Sequence, residues 1–437
     1  MLTKENNDLL TQTGPGTPGG DLLRRYWQPV ALSQELAMGG APVPVRILSE
    51  DLVLFRDDSG APGLLGIHCA HRGADLSYGR LEDGGLRCIY HGWLYDKSGR
   101  CLEQPGEPAG STFHERIRQK AYPCFEKGGV IFTYMGQGER PIFPAYEFVQ
   151  EDESKRYVDK YFHDCNYLQG NEGNIDPGHL SFLHRFFRED LTFSRPPQVG
   201  ANGSNTISQT SSNALYGRDL APDIEIEETD FGVRIFSVRD AGQEGTYLRI
   251  SNFIYPNLAA FPGGGGNDGY SVNWHVPIDD TTHWKFSMTF SRTAPTPRER
   301  IQEQHNVNVG PDFHLYRGKA NRYKQDRDEM KTKTWLGIGT FFPAHDALAT
   351  EGPGAIQDRT QEHTSSTDKA IVMQRLLLLK AVNDVQNGRE APHVVRTSAQ
   401  NDLGHLGAAD MIIPSGENWR EAWQRAFRSI GKTLTRA

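Results

Sequence analysis

The sequence predicts an α+β protein in which a small all-β unit precedes a larger, strand-rich unit closed by a long helix. Three observations carry this. From Val43 to about residue 140, short runs of alternating apolar and polar residues are punctuated by glycine and aspartate, the pattern of strands joined by turns. Five further strand-like runs lie between residues 224 and 290. From Thr367 to Val385 the apolar residues repeat instead with the spacing of one helical face.

In chain order, residues 1–40 read as a leading segment: a short helical stretch, the turn-rich GPGTPGGD, then Leu22 to Trp27. VPVRILSEDLVLFRDD reads as two strands and a turn. Residues 141–160 read as a linker, and a helical patch is expected around 164–190. The later strands are Ile224–Glu228, Val233–Val238, Tyr247–Tyr255, Tyr270–Val276 and Trp284–Phe290, with a loop at Gly263–Gly266. Residues 297–333 look helical and highly charged. The long helix should start at Thr367 or Asp368 and stop at Asn387–Gly388. No internal repeat is present.

Composition narrows the function classes. A chain of 437 residues implies two or three domains. A net charge of −8 without a clustered basic surface argues against nucleic acid. No apolar run approaches the roughly 20 residues that span a bilayer. The opening MLTKENNDLL lacks the basic start and apolar run of a signal peptide, so a cytoplasmic protein without membrane attachment is expected. Five cysteines, an odd number, fit reduced thiols better than a disulfide framework.

The stretch HCAHRGADLSYGRLEDGGLRCIYHGWLYD contains Cys69-x-His71, sixteen residues, then Cys88-x2-His91. Two such loops facing each other supply two thiolates and two imidazoles. Zinc accepts that set at one tetrahedral ion. A [2Fe–2S] cluster accepts it as two cysteines on one iron and two histidines on the other. Spacing alone leaves both open, although the order differs from the usual Cys-Cys…His-His of zinc fingers. His68 has the wrong phase and reads as structural; Cys101, Cys124 and Cys165 read as buried free thiols.

Asp176, His179 and His184 form Asp-x2-His-x4-His within NEGNIDPGHLSFLHR. Asp176 before Pro177 reads as a helix N-cap. On an ideal helix the two histidines would sit roughly 140° apart, so chelation requires a bulge or a helix end between them. Two histidines and a carboxylate make the facial triad of non-heme Fe(II) oxygenases. Asp346 is the favoured carboxylate because it follows a turn at Pro343 and opens an alanine-rich stretch; Asp358 is next, with Glu351, Glu362 and Asp368 also in range.

CAHRGADLSYG, CIYHGWLYD and NEGNIDPGHLSFLH together resemble the Rieske non-heme iron ring-hydroxylating oxygenases. LLTQTGPGTPGGDLLRRYWQPVALS and GAIQDRTQEHTSSTDKAIV resemble the phthalate dioxygenase-like branch, which includes aromatic O-demethylases. The resemblance implies a Rieske domain with its leading segment over residues 1–145 and a helix-grip catalytic domain over 146–437. It implies a cluster on Cys69, His71, Cys88 and His91, and Fe(II) on His179, His184 and Asp346. The family usually has glutamine where this chain has His345.

It further implies a homotrimer in which Asp176 bridges His91 of one chain and His179 of the next. Glu172 is expected near the iron. O₂ is the implied co-substrate, with NAD(P)H electrons arriving through a separate reductase, of flavin or ferredoxin type. The substrate is expected to be a carboxylated aromatic, hydroxylated or O-demethylated; phthalate-type cis-dihydroxylation is the alternative. Phe182, Phe186 and Phe187 are candidate pocket walls, and Arg185, Arg188, Arg195 and Arg249 candidate carboxylate binders.

Overall fold

The computed structural model describes residues 2–188, 212–263, 269–429 and 431–432. Of the expected loop at Gly263–Gly266, only Gly263 falls within them, and Arg195 lies outside.

The leading segment folds as two short helices, Lys4–Thr11 and Pro18–Leu23. Each has a threonine N-cap: Thr3 accepts from Asn6 N–H and Thr17 from Gly20 N–H. Their buried Leu10, Leu22 and Leu23 share one core with Leu377, Leu378 and Ala381 of the long helix.

The small β unit has three sheets. Trp27–Leu32, Val130–Tyr134 and Cys124–Lys127 form one; Val43–Ile47, Glu50–Arg56, Pro62–Gly66 and Ala121–Tyr122 form the second. The third consists of Arg80–Glu82, Gly85–Arg87, Leu94–Tyr95 and Cys101–Glu103. The expected Val43 hairpin is present. Its tip, Leu48 and Ser49, has φ of 49° and 65°, a turn non-glycine residues enter at a cost. Two backbone bonds hold it: Leu48 N–H to Pro277 O at 2.9 Å and Ser49 N–H to Ile278 O at 2.8 Å. The tip is thus moulded against the larger unit.

That larger unit is built on an eight-stranded antiparallel sheet. Its path runs Arg156–His163, His283–Phe290, Ser271–Pro277, Leu258–Phe261, Thr246–Ile254, Gly232–Asp240, Asp223–Thr229, and Ala409–Ile413 pairs the first half of Thr246–Ile254. The helix Lys369–Gln386 packs on it, with Leu377, Leu378 and Val382 in one core with Ile224, Val233, Ile235 and Phe253. Among the described residues no helix is long and apolar enough to cross a membrane.

All five expected strands between residues 224 and 290 and the long helix appear within two residues of their expected bounds. Three expectations change, and two strands were not foreseen. The 141–160 segment is not a linker throughout, since Arg156 begins the edge strand Arg156–His163. Its sequence, RYVDKYFH, hides the strand because its buried face carries polar groups: Asp159 accepts from the Tyr161 hydroxyl at 3.0 Å and pairs with His305. Leu258–Phe261 and Ala409–Ile413 were too short to register. Residues 297–333 hold one real helix, Arg298–Asn308, followed by single turns. Among its described residues, the patch around 164–190 is helical only over Tyr167–Ile175, with a 3₁₀ turn at His179–Ser181.

Candidate metal centres

The two Cys-His loops are near copies. Cys69 N–H donates to Ala74 O at 2.8 Å, and Cys88 N–H to Trp93 O at 2.9 Å. Gly73 and Gly92 close the loops with bonds of 2.8 and 3.0 Å to the cysteine carbonyls, at φ of +75° and +72° that only glycine adopts freely. The pseudo-symmetry points both cysteines inward and both histidines outward. Cys69 and Cys88 are buried in a core with Val53, Phe55, Trp93 and Tyr95. The His71 and His91 rings approach to 4.5 Å at the rim, His71 stacked on Trp93 at 4.3 Å. His68 stays apart, its Nδ1 on Gly73 O.

The donor set separates the two open metal readings. Four ligands on one tetrahedral zinc would lie about 3.3–3.8 Å apart. Among the described residues, only His179, His184 and Asp346 bring three such atoms within 4.8 Å of one another. The cysteine–histidine quartet is more spread than one ion allows. A two-iron cluster, with buried sulfurs at one end and exposed imidazoles at the other, fits it. Tyr95, which sequence reasoning missed, places its hydroxyl 3.2 Å from Cys69 Sγ.

The second centre comes from two distant segments. Pro177 disfavours a helical conformation at Asp176, so the helix Tyr167–Ile175 stops there. Asp176 is therefore the C-cap of one helix rather than the N-cap of the next, and its Oδ1 accepts from Gly178 N–H at 2.7 Å. The helix end required between the histidines takes the form of the 3₁₀ turn His179–Ser181. Buried Arg239 clamps that turn, donating to Pro177 O and to Ser181 Oγ at 2.9 Å each.

Asp346 arrives on the helix Phe342–Glu351, with Pro343 in its first turn. Its Oδ1 lies 3.1 Å from His184 Nε2, about the spacing of two neighbouring ligands on one octahedral ion. Burial holds His184 below its ordinary pKa in spite of Asp346. Burial alone would raise the Asp346 carboxyl, but His184, Lys285 and His179 hold it well below the usual carboxylate range. With His179 the pair brings three ligand atoms within 4.8 Å of one another, a set that could hold one cation. Asp358, the second candidate, is exposed to the side and caps Thr360.

Lys285, missed in the sequence, has Nζ 3.8 Å from Asp346 Oδ2 and is buried. His179 Nδ1 is 3.7 Å from Asp176 Oδ2. A solvent-open cleft of about 240 Å³, lined by Glu172, Asp176, His179, Leu183, Asp346 and Thr350, leads to the site. Glu172 serves the scaffold: Arg359 and Arg375 donate to it at 2.8 and 2.6 Å. Phe186 is buried beside Phe342, whereas Phe182 and Phe187 are exposed and meet Trp335 edge-on and tilted respectively. Arg185 lies over Phe187 and Trp335. Arg249 donates to the Tyr216 hydroxyl at 3.2 Å, and its charge acts on both His179 and His184.

Comparison with known proteins agrees with this geometry. Residues 26–123 match the Rieske [2Fe-2S] domain family and residues 133–433 the family described as LigXa C-terminal domain like. The phthalate 4,5-dioxygenase oxygenase subunit of Pseudomonas putida is 33% identical, covering 96% of this chain and 94% of its own. The 5,5'-dehydrodivanillate O-demethylase oxygenase subunit of a Sphingobium species is 32% identical, over 92% and 85% respectively. The terminal oxygenase of carbazole 1,9a-dioxygenase from a Novosphingobium species has the same fold, with a TM-score of 0.56 at 20% identity over 89% of this chain and 96% of its own.

Proposed function

The chain belongs to the Rieske non-heme iron oxygenases and is an oxygenase subunit, and we propose that its substrate is a carboxylated aromatic compound that it hydroxylates or O-demethylates. Its cofactors are a [2Fe–2S] cluster and a mononuclear iron, its co-substrate is O₂, and its electrons come from a separate reductase. When bound, the cluster supplies electrons one at a time and the iron supplies the activation of O₂.

The observation that carries the reading is the presence, in one chain, of the paired Cys-His loops and the converging His179, His184 and Asp346. In this reading Cys69, His71, Cys88 and His91 hold the cluster. His179, His184 and Asp346 would hold the iron, which would supply the activation of O₂ beside the cleft. Arg249, held by the Tyr216 hydroxyl, is the candidate for bidentate capture of the substrate carboxylate. Tyr216, which accepts from Arg249, and Tyr247, 3.2 Å from the Tyr216 hydroxyl, would fix its plane.

The assembly we infer is a homotrimer in which the cluster edge of one chain meets the cleft of the next. Exposed Ile89 and Tyr90, at 60% and 58%, flank His91 at that edge. Asp176, on the cleft wall, would accept from His91 of the partner subunit while facing His179 in its own chain. A carboxylate between two imidazoles ties the two centres together.

The test is product analysis with NADH, a reductase and ¹⁸O₂ on methoxybenzoates and on phthalate. Formaldehyde release, or one labelled hydroxyl per product, supports O-demethylation or hydroxylation. A dihydrodiol carrying two labels selects the phthalate-type reading instead. Turnover of the methyl esters as readily as of the free acids contradicts the carboxylate claim.

A further inference from the structure

The helix Phe342–Glu351 brings more than the ligand Asp346 to the iron site. Phe342, His345 and Asp346 stand at positions i, i+3 and i+4 and share a face. Phe342 stacks on the His184 ring at 4.5 Å and 24°. His345, only 1% exposed, lies 5.3 Å from the same ring at 19°.

The hydrogen bonds of His345 have one consistent direction. Its Nε2 is 2.9 Å from Gly339 O, which can only accept, so Nε2 carries the proton. In a neutral ring Nδ1 then accepts. The atom facing it at 3.2 Å is His184 Nδ1, which must donate. In the neutral form that metal ligation requires, His184 then keeps Nε2 bare, and that nitrogen is the one facing Asp346 Oδ1. The acceptor end is itself anchored: Gly339 N–H donates to Glu329 Oε1 at 2.8 Å, which also accepts from the Thr334 hydroxyl at 2.7 Å.

We propose that His345 is a positioning residue that fixes the tautomer and tilt of His184 for the iron. This rests on the iron-site reading above. A ligating histidine whose other nitrogen is held by a buried acceptor gains both orientation and basicity, and loss of such a partner weakens metal binding by about 10–100-fold.

The experiment uses the full chain with its cluster intact, stripped of mononuclear iron by a chelator and titrated with Fe(II) or Co(II) in competition with a chromophoric chelator. His345→Phe keeps the ring's bulk and removes the acceptor; His345→Gln restores an amide oxygen that accepts from His184 Nδ1–H. The expected result is an affinity at least 10-fold weaker in H345F and an altered Co(II) visible spectrum, with H345Q returned to near the wild-type value. Cluster EPR and the melting temperature of the iron-free protein should match across all three. If H345F does not fold, H345L gives the same comparison. Wild-type affinity in H345F or H345L, or equal losses in these and H345Q, overturns the proposal alone. Failure of the wild-type protein to take up either metal overturns the iron site and this proposal together.

Discussion

In the proposed cluster site, the Tyr95 hydroxyl 3.2 Å from Cys69 Sγ would stabilise the cluster more when it is reduced, because the sulfur is then more negative. Tyr95→Phe is expected to lower the reduction potential by about 40–60 mV, roughly 1–1.4 kcal/mol for one electron. Protein-film voltammetry reads this directly; an unchanged potential removes Tyr95 from the tuning of the cluster. Tyr95 was invisible as a functional residue because its partner lies 26 positions away and tyrosine has many ordinary core uses. The cluster candidates were legible because each loop places a cysteine and a histidine within four residues. Asp176 was misread for a local reason. Asp-Pro suits a helix start, but proline equally ends the preceding helix, and only the tertiary contacts of the Pro177–Ser181 turn decide between them.

Among the elements, the helix Tyr167–Ile175 carries the approach to Asp176 and His179 and is pinned by Glu172. That carboxylate is buried between Arg359 and Arg375, and Arg375 also grips Glu362. Burial would raise its pKa, but the two guanidinium groups hold it below its ordinary value of 4.5. Its stabilising effect is thus fully present above that value and is lost as the pH falls through the depressed folded pKa. Glu172→Gln leaves two buried cations short of a partner and should cost about 3–5 kcal/mol at pH 7. Urea denaturation as a function of pH checks this: the gap between wild type and variant should shrink below about pH 4. A constant gap would mean that shape, not charge, is what Glu172 supplies. At this scale the long helix and five strands were legible from periodicity, since each carries a run of apolar residues on one face. The strand Arg156–His163 was not, because its Asp159 and Lys160 are buried, satisfied by Tyr161 of the same strand and by His305 and Glu35 from elsewhere in the chain.

At the scale of the molecule, one core joins the two units, with Phe132 of the small sheets 5.6 Å from Trp274 of the large one. Both metal centres therefore sit on one framework, each open to solvent on one side. In the trimer proposed above, Asp176→Asn should abolish NADH-coupled turnover while cluster and iron contents stay at wild-type levels, since asparagine cannot accept from two imidazoles as a carboxylate does. Near wild-type turnover would remove Asp176 from the electron path. The central claim, two different iron centres in one chain, is tested most directly by metal and acid-labile sulfide analysis with EPR of the dithionite-reduced protein. The expected result is about three irons and two sulfides per chain with a Rieske-type signal. Zinc without sulfide, in protein prepared freshly and anaerobically, would contradict it.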